Sequence, residues 1–192
     1  MTRVKKKNTN AHLTAEDWER AALKIIATKG VKALAVEPLA RSLGVSKGSF
    51  YWHFQNRKAL LESALLRWER EESEEFIQTL KTIEDPRERL KQLILQVSKG
   101  KWNCSLHSTL SAAASDDTVR PVLKRITGRR IDYLKKCYLD LGLTERAAQH
   151  RAALAYTIYV GYIHIDREAP GYAPGSKVTE AYLFHVLQTM IP

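Results

Sequence analysis

From Trp18 to Met190 the apolar side chains return at spacings of three and four residues, and almost every periodic segment of the chain has this helical period. A chain with that pattern can bury its apolar stripes only by packing helix on helix, so the fold is predicted to be all-α, with about nine helices. The punctuation agrees. Thr14 with Asp17 three residues on has the spacing of a capping box, Trp18, Ala21, Ala22, Ile25 and Ile26 form the stripe of a first helix, and Gly30 supplies its C-cap. Val36, Leu39, Ala40 and Leu43 mark a short second helix with Pro38 in its first turn, where a missing N–H costs least, and Gly44 ends it. Ser46 is placed to cap a third short helix whose inner face is Phe50, Tyr51 and Phe54, and Asn56 to cap a long fourth through Leu60, Leu61, Leu65 and Trp68.

Beyond Asp85-Pro86 the pattern predicts a larger bundle. Leu90, Leu93, Ile94 and Val97 form one stripe, and Asp116 or Asp117 caps a helix through Val122, Ile126, Ile131 and Leu134. The last two helices, about 145 to 166 and 177 to 191, are apolar around most of their circumference, and such a helix must be covered on all sides. A Pro/Gly-rich connector over 168 to 176 joins them. The expected organisation is a basic arm over 1–13, a small helical domain over 14–56 and a larger one over 57–192.

Charge separates the same regions. Residues 1 to 60 hold 12 Lys and Arg against 4 Asp and Glu, whereas the remaining residues hold 19 against 17, although the whole chain of 192 residues carries a formal charge of +10. A basic first third joined to a near-neutral remainder suggests one part that meets a polyanion, nucleic acid or anionic membrane surface, and another with a different task. Other classes find little support. No nucleophile elbow, phosphate loop or zinc-protease motif is present, so no enzyme activity, cofactor or metal is expected. Cys104 and Cys137 form no CxxC pair, and the simplest expectation is a reduced, cytoplasmic protein in which both are buried small residues. The longest uncharged run, Ala152 to Ile165, is 14 residues and too short to span a membrane. The basic segment lacks the single long amphipathic helix of a membrane-surface peptide. The acidic run from Glu69 to Glu75 is expected to be a solvated helix face.

Residues 36 to 54 meet the requirements of a helix-turn-helix: two short helices, a Gly between them able to take φ > 0, and a small residue, Ala40, where the helices approach. Any αα-corner with Gly would match that description. The string GVSKGSFYWHFQNRKALL over 44 to 61, with Leu39-Ala40 upstream and the first helix ending at Gly30, closely resembles the recognition region of TetR-family (tetracycline-repressor-like) transcriptional regulators. It departs from the family pattern at Ala35, where a capping Thr is usual.

The resemblance implies that Lys47, Gly48, Ser49, Trp52 and His53 face double-stranded DNA, that Tyr51 reaches a backbone phosphate or stays in the core, and that Lys58 contacts phosphate. Trp52 could pack on sugar, on a thymine methyl or over its own helix, and Arg3, Lys5, Lys6 and Lys7 could touch phosphate or remain solvated. It also implies a small-molecule effector of unknown identity. Trp68, Phe76, Trp102, His107, Tyr133, Tyr156 and Tyr159 are the mix of aromatic and polar groups that lines such a pocket, though each could equally be core. A palindromic operator calls for a homodimer, and the last two helices, through Ala155, Ile158, Tyr162, Tyr182, Val186 and Leu187, with Gly161 allowing close approach, are the expected interface. The function expected is a repressor released by its effector; a DNA-binding dimer with no effector and, more remotely, a small helical enzyme are the alternatives.

Overall fold

The computed structural model describes residues 13–98, 104–169 and 180–192, and the side chains of these except at 72–79, 96–98, 104–105, 166 and 180. The basic arm and Trp102 fall outside the described residues, as do the side chains of Phe76 and Cys104. The regular elements among the described residues are all helices: α1 (Ala15–Lys29), α2 (Val36–Ser42), α3 (Lys47–Tyr51), α4 (Arg57–Lys81), α5 (Pro86–Ser98), α6 (Cys104–Ala112), α7 (Val119–Asp140), α8 (Glu145–Glu168) and α9 (Glu180–Met190), with a 3-10 turn at Val31–Ala33. None of these helices is long and apolar enough to cross a membrane.

The local signals act as their chemistry requires. Thr14 Oγ1 accepts from the Asp17 N–H at 3.3 Å while Asp17 Oδ2 accepts from the Thr14 N–H at 2.8 Å, closing the capping box of α1. Asn56 Oδ1 accepts from the Ala59 N–H and opens α4. Asp116 accepts from the N–H groups of Thr118 and Val119 at the start of α7. Ser46 departs from expectation: it occupies the N-cap of α3, but its hydroxyl makes no cap bond. Ala35 stands uncapped at the start of α2, in accord with its lack of a hydroxyl.

One apolar core runs from Trp18, Ile26, Leu39 and Phe50 through Leu60, Leu61 and Leu65 of α4 to Leu106, Leu110, Val122 and Ile126. Trp18 and Phe50 meet edge to face at 5.4 Å between ring centres, a geometry worth about 1 kcal/mol beyond burial. A second core gathers Leu80, Leu90, Leu93, Leu134, Tyr138, Ala148, Ala152 and Tyr156, with Cys137 buried among them. The Tyr138 hydroxyl donates to the Met190 carbonyl at 3.0 Å and pins the end of α9.

Two features of the bundle were not anticipated. Helix α6 is short and rich in Ser and Thr, which weakens its period, yet Leu106 and Leu110 are four residues apart and both buried. The acidic run of α4 is not simply a solvated face. Glu69 is buried, accepts from Arg125 at 2.6 and 2.9 Å and also pairs with Arg129. Burial of a carboxylate is tolerable where two guanidinium groups satisfy it, and spacing along α4 cannot announce partners on α7.

Candidate nucleic-acid interface

The corner between α2 and α3 is made by Gly44, whose φ of 71° is open to glycine at little cost and strained for residues with a Cβ. The chain reverses there through hydrogen bonds from Gly44 N–H to Arg41 O at 3.2 Å and from Val45 N–H to Ala40 O at 3.0 Å. Leu39, Ala40, Phe50 and Phe54 lock the two short helices onto α1 and α4. With its apolar side fixed inward, α3 turns a single face outward. On it Lys47 and Gly48 are exposed and Ser49 half-exposed, and His53 is exposed in the turn that follows. Tyr51 is 56% exposed and stands edge-on to Phe50, which favours the outward role over the core role. Trp52 is 88% exposed, an indole that no packing among the described residues accounts for.

Two of the cations around this face, Lys47 and Arg57, are already engaged. Lys47 Nζ donates to Glu37 Oε1 across the corner at 2.8 Å, and each group holds the other in its charged form, the carboxyl below and the ammonium above its usual range. Arg57 points away from the surface, donating at 2.6 Å to the carbonyls of both Val31 and Leu34, so it ties the start of α4 to the α1–α2 connection. Lys58 is exposed, with Glu62 one turn on at 3.8 Å. Neither Glu37 nor the clamp by Arg57 was foreseen, because both act over ten or more residues, where no local spacing rule applies.

Behind this surface, four of the seven candidate pocket residues converge. Trp68 lies 6.3 Å from the His107 ring, His107 lies 6.0 Å from Tyr159, and Tyr159 lies 5.9 Å from Tyr156. The Tyr156 hydroxyl is 3.4 Å from His107 Nε2 and 3.0 Å from Thr127 Oγ1, while Arg130 stands 5.6 Å from the Tyr159 ring centre. Burial keeps His107 neutral, its pKa pushed down to about 4 with Arg130 adding to the effect. Trp68 is 2% exposed, and its indole N–H, like that of Trp18, has no acceptor among the described residues. Tyr133 sits one turn beyond Arg130 beside Cys137 and Arg89, where burial pushes its hydroxyl up to about 12.

The residues expected at a dimer interface, Ala155, Ile158, Tyr162, Tyr182, Val186 and Leu187, are all half-buried within one chain. Around them Leu154 and Ile165 of α8 and Phe184 of α9 are exposed, Phe184 to 60%. Leu154, Ile158, Gly161 and Ile165 fall on one stripe of α8, and a Cβ added at Gly161 would meet open space in the single chain.

Corner, outward face and helical body together define a helix-turn-helix protein built into an all-α bundle. The sequence profile of the bacterial regulatory proteins of the tetR family matches residues 20–64. The tetracycline repressor protein class A from transposon 1721 of Escherichia coli is 46% identical over 44 residues, 23% of this chain and 20% of that protein. The class D repressor of Escherichia coli is 36% identical over 53 residues, 28% of this chain and 24% of that one. These matches thus span only a fifth to a quarter of the relatives' own length. The likeness of fold extends much further. A TetR-family transcriptional regulator from Agrobacterium tumefaciens superposes with a TM-score of 0.76 at 18% identity, covering 93% of this chain and 97% of that one. The reduced form of NemR from E. coli superposes with a TM-score of 0.73 at 18% identity, over 92% and 94% of the two chains. Residues 20–64 therefore match the N-terminal domain of the tetR family, and the chain as a whole shares the fold of TetR-family regulators.

Proposed function

We infer that the protein is a cytoplasmic transcriptional regulator that binds a palindromic operator as a homodimer and is released from it by a small-molecule effector. The observation that carries the reading is the outward face of α3 and the turn after it, where Tyr51 and Trp52 are exposed beside Ser49 and His53, fixed from behind by Phe50 and Phe54. An isolated fold has no use for an indole in water. A helix end placed in a major groove has sugars, methyl groups and base edges to set against it. One such module buries too little surface for specific binding, and the exposed apolar stripe of α8 and α9 offers a two-fold interface that would present two modules about 34 Å apart. The effector is supported by the cluster of Trp68, His107, Tyr156 and Tyr159, in which a buried N–H has no acceptor among the described residues, a role a ligand could fill. The experiment is selection of bound duplexes from random DNA, followed by mobility shifts on the selected site with a metabolite library. Enrichment of an inverted repeat and its release by one compound are the expected results. Failure to enrich any sequence overturns the reading, and enrichment without release by any ligand favours a constitutive DNA-binding dimer.

A further inference from the structure

Within the turn and recognition segment from 42 to 56, Lys47 is the sole lysine or arginine, and it is bonded to Glu37 of the preceding helix. We propose that this Glu37–Lys47 pair acts as one unit that recognises a G·C base pair in the major groove, which makes Glu37 a specificity-determining residue. The proposal rests on the DNA-binding function inferred above.

Three observations lead to it. The first is position: Lys47 opens α3, and the first residues of a recognition helix are those that meet base edges. Glu37 lies in the first turn of α2, and its carboxylate reaches the same spot across the corner. The second is charge. A phosphate drawn to Lys47 would also approach the Glu37 carboxylate, so the pair is a poor phosphate ligand. Both side chains nevertheless stay more than half exposed, so each keeps hydrogen-bonding capacity to spare.

The third is the match between the pair and a base-pair edge. Lys47 Nζ and Glu37 Oε1 are a donor and an acceptor 2.8 Å apart. In a G·C pair, guanine O6 and cytosine N4 are themselves hydrogen-bonded and so stand about 2.9 Å apart, with an acceptor on one side and a spare amino hydrogen on the other. Lys47 over guanine meets O6 and N7 together, while Glu37 over cytosine accepts from N4 beside a neutral C5–H. An A·T pair also offers an amino group next to a carbonyl, but its flanks are wrong. The carboxylate over adenine N6 would face the N7 lone pair, and the ammonium over thymine O4 would face the C5 methyl. The pair therefore fits G·C in one orientation and mismatches A·T at both ends.

The test uses the full chain and the operator sequence selected with it. In the wild type, one position of each half-site is expected to be G·C, and its exchange for A·T to weaken binding roughly 5- to 140-fold, the discrimination of one bidentate contact. Glu37→Ala, Glu37→Gln and Lys47→Ala should each relax the preference at that same position and leave the others in place. Glu37→Ala with Lys47→Ala should relax it no further. Methylation of the cytosine N4 at that position should weaken the wild type and leave Glu37→Ala unaffected. If the Glu37 variants instead bind every duplex more tightly with all base preferences kept, the carboxylate is only a brake on Lys47 and the proposal fails. It fails equally if the variants relax a different position or none. A wild type that selects no sequence overturns the DNA-binding function itself, a result distinct from either.

Discussion

Arg67 of α4 and Glu19 of α1 form an ion pair with Nε and Oε2 2.5 Å apart, and Arg67 is only 6% exposed. Ser63 donates to the other oxygen of Glu19, and Arg67 also reaches Glu16 and Glu71. The bond crosses from the helix that supports the recognition corner to the helix that leads into the larger bundle. A guanidinium withdrawn from water there keeps its charge because carboxylates surround it, which holds its pKa above the usual arginine range.

Removing Glu19 takes the most buried of three carboxylates from Arg67 and leaves Glu16 and Glu71. Glu19→Ala is expected to destabilise the fold by about 1.5–3 kcal/mol, the loss of a charged buried hydrogen bond, whereas Glu19→Leu with Arg67→Met should recover most of that loss. Urea denaturation of the three variants measures both values. A single variant within about 1 kcal/mol of the wild type would mean that water enters the site and solvates Arg67.

The stability of the protein should fall in mild acid through His107. Its folded-state pKa is about 4 because it is buried, against about 6.5 in an unfolded chain. Between these values the unfolded chain takes up a proton that the folded one refuses, so stability decreases as pH falls from about 6.5 toward 4, by about 3 kcal/mol in all. His107→Leu should remove that component. Urea midpoints at pH 7, 6 and 5 should then converge for the variant and diverge for the wild type, and parallel curves would show that His107 is protonated in the fold.

How far these relationships could be foreseen divides by range. Thr14, Gly30, Gly44 and Asn56 stand where their signals placed them because a cap or a glycine turn is decided within four residues. The inward faces of the first four helices follow largely from period, with Trp18, Ile26, Phe50 and Leu65 all fully buried, but Tyr51, expected inward with Phe50 and Phe54, is exposed because its neighbour Phe50 takes the inward place on so short a helix. What spacing could not reveal is pairing between helices: Glu37 with Lys47, Glu19 with Arg67, and Glu69 with Arg125 and Arg129. On a helical wheel each of these looks like an ordinary solvated charge. The gathering of Trp68, His107, Tyr156 and Tyr159 was legible only as a composition, since three helices must pack before the rings meet, and Tyr133 packs in the same core as Tyr156 and Tyr159, beside Cys137 and Arg89.

Two adjacent basic residues at the start of α4 should behave oppositely. Lys58 is exposed, so Lys58→Ala should weaken binding to all DNA sequences alike and reduce the salt slope by about 1, without lowering stability by more than about 0.5 kcal/mol. Arg57 holds two main-chain carbonyls, so Arg57→Ala should cost about 2 kcal/mol or more of stability and leave the salt slope unaltered where the variant remains folded. Affinities at several salt concentrations, together with thermal melts, separate the two effects. A reduced slope for Arg57→Ala would mean that its guanidinium leaves the carbonyls for phosphate when DNA binds.

The apolar stripe on α8 and α9 should disappear into a dimer. Tyr162→Glu or Leu187→Glu would place a carboxylate in that surface and is expected to give monomers or insoluble protein. Sedimentation at micromolar concentration distinguishes the species, and a monomeric wild type would exclude this interface.

The last expectation concerns communication between the two regions, and it rests on three consecutive residues of α4. Arg67 bonds to α1, Trp68 lies against His107 of α6, and Glu69 is held by Arg125 and Arg129 of α7. A ligand that moves Trp68 in one arrangement of the bundle must therefore work against both neighbouring bonds, and its preference for that arrangement is transmitted to α1 and the recognition corner. A coupling of about 1 to 3 kcal/mol would change operator affinity about 5- to 150-fold. Glu69→Gln weakens the hold of α7 while leaving the Arg67–Glu19 bond in place. The variant is expected to bind both operator and effector, but the effector should change its operator affinity by a factor roughly 2- to 30-fold smaller than in the wild type. The measurement is operator affinity with and without a compound shown by calorimetry to bind the protein. An unchanged ratio would place the coupling elsewhere, in the direct contact between α6 and α1 where Thr109 Oγ1 donates to the Ala27 carbonyl at 3.4 Å.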